Sequence, residues 1–344
     1  MLNLLSQIKR ARSPRDGRLR IALVADALTQ SSLEAECDVL TLTPNNYRLL
    51  LRRGRPDFLL VESAWQGFGE KWKYRIAAYP DHPERNNRAL AALVAHARDL
   101  GIPTVFWNKE DGVHFERFIA SAVLFDHIFT VDENCIPRYR AAAPAASVDT
   151  LLFAVQPATH SFSGFDFKHN QSNFVGSYSR HIHNRRREWQ DMFFLATLTH
   201  GMGLTVIDRN SSRKGGHYRY PELHGLRVLP AVSHAQTAQI YKDYTVSINV
   251  NTVEDSATMF SRRLVEILAC GGIAVTNPSP AVERYFKDYC HVVHDAEEAD
   301  HLFRRLKNGP GSDDLERARA GAEYVLREHT WTHRLGEIAA VVGL

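Results

Sequence analysis

The 344-residue sequence has four cysteines, Cys37, Cys135, Cys270 and Cys290, widely spaced and with no CxxC pair among them. That spacing argues against a disulfide framework and predicts four buried thiols in a reducing cytoplasm. No apolar run approaches the ~20 residues a membrane-spanning helix needs. An excess of charge of either sign is also lacking. The formal net charge is +3, so the whole-molecule field gives no argument for a nucleic-acid partner, and any basic patch has to be local. The chain has no short-period repeat, no low-complexity tract and no GxGxxG fingerprint. Its opening, MLNLLSQIKRARSPRDGRLR, places apolar residues before basic ones, the reverse of a secretory signal. A frayed terminus is the expected reading. The alternative is weak contact of Leu2, Leu4, Leu5 and Ile8, with Lys9, Arg10 and Arg12, with an anionic membrane surface.

What is present reads as α/β. Hydrophobic residues make up 44% and charged residues 24%, a globular composition, and the length suits two domains of about 150 residues. LRIALVAD, DFLLVES, IPTVFWN and DHIFTVD, starting at Leu19, Asp57, Ile102 and Asp126, are continuous apolar runs of the kind found in buried parallel strands. Between the second and third, NNRALAALVAHARDLG has a helical pattern with Gly101 as its stop. Ala141 to Asn173 changes character and reads as a linker. A second series follows: NFVGSYS, a helix from about Arg186 to His200, GLTVIDR, LRVLPAV, a helix over HAQTAQIYKDY, TVSINVN, a further helix and GIAVTN. The C-terminal YVLREHTWTHRLGEIAAVVGL reads as one final helix anchored by Trp331. Strands alternating with helices predict two Rossmann-like domains facing each other across a cleft, with ligands beyond the carboxyl ends of the strands. Their expected extents are 1–160 and 161–325, and 326–344 is a terminal helix that packs back on the first.

The segment MFSRRLVEILACGG, from Met259, raises a question of charge. Arg262 and Arg263 fall in the first turn of a helix, where the dipole disfavours cations by about 0.3–1 kcal/mol. Glu266 lies four and three residues on, and pairing with it returns about 0.2–0.5 kcal/mol, in the weaker order. A diphosphate at the helix N-terminus would satisfy both arginines, and Glu266 would then reach a ribose diol. Gly271 and Gly272 close the helix under either reading.

In FVGSYSRHIHNRRRE, a strand runs into Gly176 and Ser177 and then a helix, the geometry of a backbone phosphate cradle. Arg180, Arg185, Arg186 and Arg187 add local positive charge, and at least two of them are expected to be solvated. His181 to His183 resemble a metal pair but have no partner at a fixed spacing, so no metal site is expected. Arg209, Arg213 and Lys214 suit a mobile cleft loop. In the first half, Glu110, Asp111 and His114 follow a strand end among aromatics and are the acid/base candidates. The competing reading is a turn at Asp111 and Gly112 and a helix-start acid at Glu110.

Two motifs of the second half, NVNTVEDSATMFSRRLVEILACGGIAVTN and FVGSYS, resemble the CgeB-like (spore maturation protein type) glycosyltransferases, which have the GT-B fold. LLVESAWQG, TVFWNKEDGVHFERF and FDHIFTVDENCIPRYR resemble the N-terminal half of the same group. The resemblance runs from about Leu19 to the end. It implies sugar transfer from a nucleotide diphosphate sugar, with a UDP-sugar as the expected co-substrate and no separate cofactor. The donor would be bound by the second domain and a saccharide, lipid-linked or protein acceptor by the first. Many members of the group sit in surface-polysaccharide loci. By resemblance Glu266 binds the ribose, Arg263 and Arg262 lie near the diphosphate, Gly176 and Ser177 form the first donor loop, and Asn249, Asn251, Asp255 and Ser256 form the polar stretch before the helix. Arg180 and Arg209 join the donor-binding candidates, and Arg263 the catalytic ones. Related retaining enzymes often carry a second glutamate eight positions before the ribose glutamate. Here that position is Thr258, which leaves the donor-sugar contacts open; Ala257 and Gly112 replace frequent prolines and Val265 a phenylalanine. The expected protein is a cytoplasmic, metal-independent, retaining glycosyltransferase. A nucleotide-sugar epimerase on the same fold and a non-catalytic nucleotide-sugar-binding protein are the alternatives.

Overall fold

A computed structural model describes residues 18–344. The stretch Leu2 to Arg12, singled out above for membrane-surface contact, lies outside the described residues. Two compact units make up the rest. One holds the chain up to Leu152 together with Trp331–Leu344, the other Phe153–Thr330.

The first unit is built on β1 (Arg20–Val24), β2 (Asp38–Thr41), β3 (Phe58–Glu62), β4 (Thr104–Asn108), β5 (His127–Thr130) and β6 (Ser147–Thr150). All pair in parallel, in the order β2-β1-β3-β4-β5-β6. β1, β3 and β4 are buried at every position, which is why they read as unbroken apolar runs. Helices α1 (Ala27–Glu36), α2 (Tyr47–Gly54), α3 (Arg88–Asp99), α4 (Phe115–Ala122) and α5 (Ile136–Ala142) connect them. Gly101, at φ 68°, ends α3 as its sequence predicts. The chain leaves β1 toward β2 on one side and returns to β3 on the other, so a crevice opens at the carboxyl ends of β1 and β3.

The second unit holds β7 (His169–Gly176), β8 (Leu204–Asp208), β9 (Leu226–Pro230), β10 (Tyr244–Ile248), β11 (Ile273–Thr276) and β12 (His291–Val292). They too are parallel, in the order β12-β11-β10-β7-β8-β9, the doubly wound order of a dinucleotide-binding fold. Its switch point lies between β7 and β10. Helix α6 (Asn184–Thr199) buries Trp189, Gln190, Phe193 and Phe194, and Phe193 and Phe194 join Phe174, Val206 and Val246 in the core. α7 (His234–Asp243) begins with a capping box from Ser233 and Gln236. α8 (Arg262–Ala269) is the helix of the arginine question.

Three expectations are corrected. β2, only four residues long, had no reading as a strand. The stretch taken as a linker contains β6 and the first half of β7. The C-terminal segment is two helices, Ser312–Glu328 and Trp331–Val342. The break falls at His329 and Thr330 because the chain there pairs with Val155: a parallel bridge joins Val155 and Thr330, and Val155 N–H donates to the His329 carbonyl at 2.9 Å. Trp331 is buried, edge-on to Trp107 with ring centroids 5.4 Å apart. All four cysteines are buried free thiols. Among the described residues no helix is long and apolar enough to cross a membrane.

Candidate functional site

At the switch point of the second unit, β7 ends in Gly176. A Cβ there would meet the Phe174 ring at 2.5 Å and Arg263 Nη2 at 3.0 Å, so the absence of a side chain is what lets the arginine approach the strand end. β10 leads into Asn249 and Asn251, both buried, which form a closed network with Thr276 and Asn277. Asn249 Nδ2 donates to Thr276 Oγ1 at 2.9 Å, and Asn251 N–H to Asn277 Oδ1 at 2.7 Å. Asn251 Oδ1 accepts the Ser261 N–H at 2.9 Å, fixing the residue that caps α8. The two asparagines thus hold the backbone on which Arg263 is mounted.

Arg263 turns inward. Its Nε donates to the Val175 carbonyl at 2.5 Å, Nη1 reaches Asn249 Oδ1 at 3.5 Å, and the guanidinium lies 4.5 Å from the Phe174 ring centroid. Arg186, in the first turn of α6, donates from Nη2 to the Ser177 carbonyl at 3.3 Å, while its buried Nε has no partner. The buried Tyr220 hydroxyl has none either. Among the described residues neither guanidinium has a carboxylate in salt-bridge contact. Burial, reinforced by the charge of Arg263, pushes Arg186 down to about 10. Burial likewise lowers Arg263, with the charge of Arg209 acting in the same direction. The Arg209 side chain is exposed, and its N–H donates to the Gly176 carbonyl at 2.9 Å. Mutually repelling cations held from water with no counter-ion make a site for an anion.

Of the two arginines in α8, only Arg262 takes the ion pair with Glu266, Nε to Oε1 at 3.0 Å. His234 Nε2 meets the same oxygen at 2.9 Å. Burial alone would raise the Glu266 carboxyl, but the His234 hydrogen bond and the Arg262 charge outweigh it and hold it at about 2. His160, fully buried, lies with its ring centroid 4.7 Å from that of His234. Ligand atoms of His160, His234 and Glu266 fall within 4.8 Å of one another, a grouping with metal-ligand potential that the expectation of no metal site, drawn from His181 to His183 alone, did not consider. His181 instead packs edge-on against His217 at 4.3 Å.

The remaining donor-side candidates are not drawn into this centre. Ser177 contributes its carbonyl, which accepts from Arg186 and from Gln190 Nε2 at 3.1 Å. Ser256 is buried and accepts the Met259 N–H at 3.0 Å, shaping the loop before α8. Arg180 and Asp255 are exposed. Arg185 is spent on Glu188 and Glu254. Thr258 is buried at 4% exposure.

In the first unit Asp111 is not an open acid/base. It is buried at the hub of a network, accepting from Asn108 Nδ2 at 2.6 Å, Thr130 Oγ1 at 2.6 Å and Tyr139 Oη at 2.8 Å. Burial outweighs these bonds and raises it to about 7. Glu110 and His114 are half-buried; His114 sits edge-on to Trp65 at 5.2 Å, and burial lowers its pKa. An unforeseen cluster lies at the carboxyl ends of β1, β3 and β4. Lys109 Nζ contacts Glu62 Oε1 at 3.0 Å and Asp26 Oδ2 at 3.4 Å, and Glu62 also accepts from Thr29 Oγ1 and the Asp26 N–H, both at 2.6 Å.

Residues 186–340 match the family model described as glycosyl transferase-like. No curated protein matches the sequence. Among solved structures it is similar to an alpha-glucosyltransferase in complex with UDP and a 13-mer DNA, at 10% identity and TM-score 0.63, covering 95% of this chain and 100% of that one. It is also similar to Anabaena Alr3699/HepE in complex with UDP and glucose (12%, TM-score 0.58, 99% and 95% covered). A third is a glycosyltransferase from Rickettsia africae (11%, TM-score 0.55, 95% and 98% covered). The two parallel six-stranded α/β sheets are those of the GT-B fold.

Proposed function

We propose that the protein is a CgeB-like GT-B glycosyltransferase that moves a sugar, with retention and without a metal, from a UDP-sugar to a saccharide, lipid-linked or protein acceptor in the cytoplasm. The observation that carries this reading is the pair of guanidiniums at the end of β7, Arg186 on the Ser177 carbonyl and Arg263 on the Val175 carbonyl, close enough to repel and with no carboxylate partner among the described residues. A nucleoside diphosphate supplies the missing charge. As the bond between the donor sugar and its phosphate oxygen breaks, the electron pair stays on the diphosphate. The two arginines and the free N–H groups opening α8 stabilise that charge. The uncommitted oxygen of Glu266 accepts from the ribose hydroxyls. On the acceptor side His114, neutral near pH 7, is a candidate to take the hydroxyl proton, with Glu110 beside it. Two of the similar solved structures hold UDP, in line with this donor.

Turnover of a panel of nucleotide sugars by the wild type, Arg263→Ala and Arg186→Ala tests the assignment, with NMR of the product reading the anomer. Each variant is expected to lose roughly 10²–10³ in turnover while its thermal midpoint is kept. Wild-type turnover in both would refute the assignment.

A further inference from the structure

Glu266 is gripped from one side only. The hydrogen bonds it accepts from His234 and Arg262 both meet Oε1, which leaves Oε2 open. The ring that makes the first of these bonds is itself held on several sides. His234 opens α7 directly after the capping residue Ser233, and its carbonyl accepts from Thr237 Oγ1 at 2.7 Å. Because that hydroxyl proton is committed, Thr237 Oγ1 can only accept from His160 Nε2, 2.9 Å away. His160 therefore carries its proton on Nε2, and its buried Nδ1 has no partner. Burial holds this ring down at about 4, so near neutral pH it is a single uncharged tautomer packed against His234. Thr237, His160 and His234 thus form a chain of fixed groups ending on one oxygen of Glu266.

We infer that His234, backed by His160, is a positioning residue that rotates Glu266 so that Oε2 faces the ribose of the nucleotide donor. The inference rests on the donor-site reading above. The same three side chains have a spacing within reach of a metal, but the Arg262 guanidinium on Glu266 favours positioning, because a metal ion bound to that carboxylate would face a cation already there. Lacking His234, the carboxylate keeps its charge through Arg262 but loses its orientation. The cost then falls on the half of the ligand that carries hydroxyls and spares the half that carries phosphates.

The test uses the full chain and two probes, UDP and inorganic pyrophosphate, titrated calorimetrically into the wild type, His234→Ala and His234→Gln. The expected result is UDP affinity lower by about tenfold in His234→Ala, unchanged pyrophosphate affinity, and recovery of most of the loss in His234→Gln, whose amide N–H can replace the imidazole donor. In turnover, KM for the donor rises with kcat held within about twofold. Equal losses for UDP and pyrophosphate, or no loss for either, overturn the inference. So does inhibition of the wild type by micromolar Zn²⁺ that a chelator reverses and His234→Ala abolishes, since the ring would then be a metal ligand. A wild type that binds neither probe overturns the donor-site reading and this inference with it, whereas wild-type UDP binding that His234→Ala leaves intact overturns the inference alone.

Discussion

The switch points of the two sheets occupy the same topological place and handle charge in opposite ways. In the first unit the Lys109 cation meets two carboxylates, the buried Glu62 and the half-buried Asp26, so its charge is countered within the unit. In the second unit Arg186 and Arg263 both reach the end of β7, and their donors go to the neutral carbonyls of Ser177 and Val175 and to the Asn249 amide. A cation countered by carboxylates of its own unit belongs to the fold. Cations left without a carboxylate are destabilising until an outside partner arrives, and that asymmetry is what favours the proposed anion site in the second unit.

The comparison breaks most sharply at Glu62. Glu62→Ala removes the closer of the two carboxylates that face Lys109, leaving Asp26 at 3.4 Å, and is expected to destabilise the first unit by about 3–5 kcal/mol in urea unfolding. A loss below about 1 kcal/mol would mean that the cluster is hydrated, not closed. Acid titration sharpens the contrast, because the buried carboxyls of the two units respond with opposite signs. Asp111 sits near 7 in the fold against an ordinary 3.8, so the stability its proton confers is full below about 4 and lost as pH rises through 7. Glu266 sits near 2 against an ordinary 4.5, so its contribution is present above 4.5 and lost as pH falls toward 2. The stability difference between wild type and Asp111→Asn is expected to grow from pH 7 to pH 4, by at most about 1.4 kcal/mol per pH unit. A flat difference would place the Asp111 carboxyl in its ordinary range. The smallest effect belongs to Arg263→Met. Removing an unpaired buried cation is expected to stabilise the nucleotide-free protein by about 1 kcal/mol while abolishing its stabilisation by UDP. A destabilised nucleotide-free variant would show that the arginine's carbonyl bonds outweigh its stranded charge.

The strands at the centres of both sheets were legible because burial on two faces demands unbroken apolar runs, as RIALV and FLLVE show. The edge strand β6, SVDT, is buried at a single position and carries no such signature. The break at His329 and Thr330 depends on pairing with Val155, far away in sequence. At the site, the charge pattern of α8 was enough to expose the arginine problem, but it did not reveal that only Arg262 would pair with Glu266. Arg186 was one of four neighbouring arginines, yet a distinguishing signal existed. It lies three, four and seven positions before Trp189, Gln190 and Phe193, on the inward stripe of α6. His160 gave no local signal, since it sits in the stretch read as a linker and meets His234 only through the fold. The enclosure of Asp111 was not legible, because sequence proximity to Glu110 and His114 says nothing of the Thr130 and Tyr139 hydroxyls that surround it.

Gly176 sets how fragile this arrangement is to mutation. Its backbone lies outside the left-handed region, so an alanine would meet no conformational penalty there; the obstacle is contact alone, with Phe174 and with the Arg263 guanidinium. One added methyl group would displace the arginine from the strand end and close the anion site without removing any ionisable group from the sequence. Binding at this site is therefore a property of an empty volume as much as of the charges around it, and a charge-neutral exchange of one hydrogen for a methyl is enough to remove it.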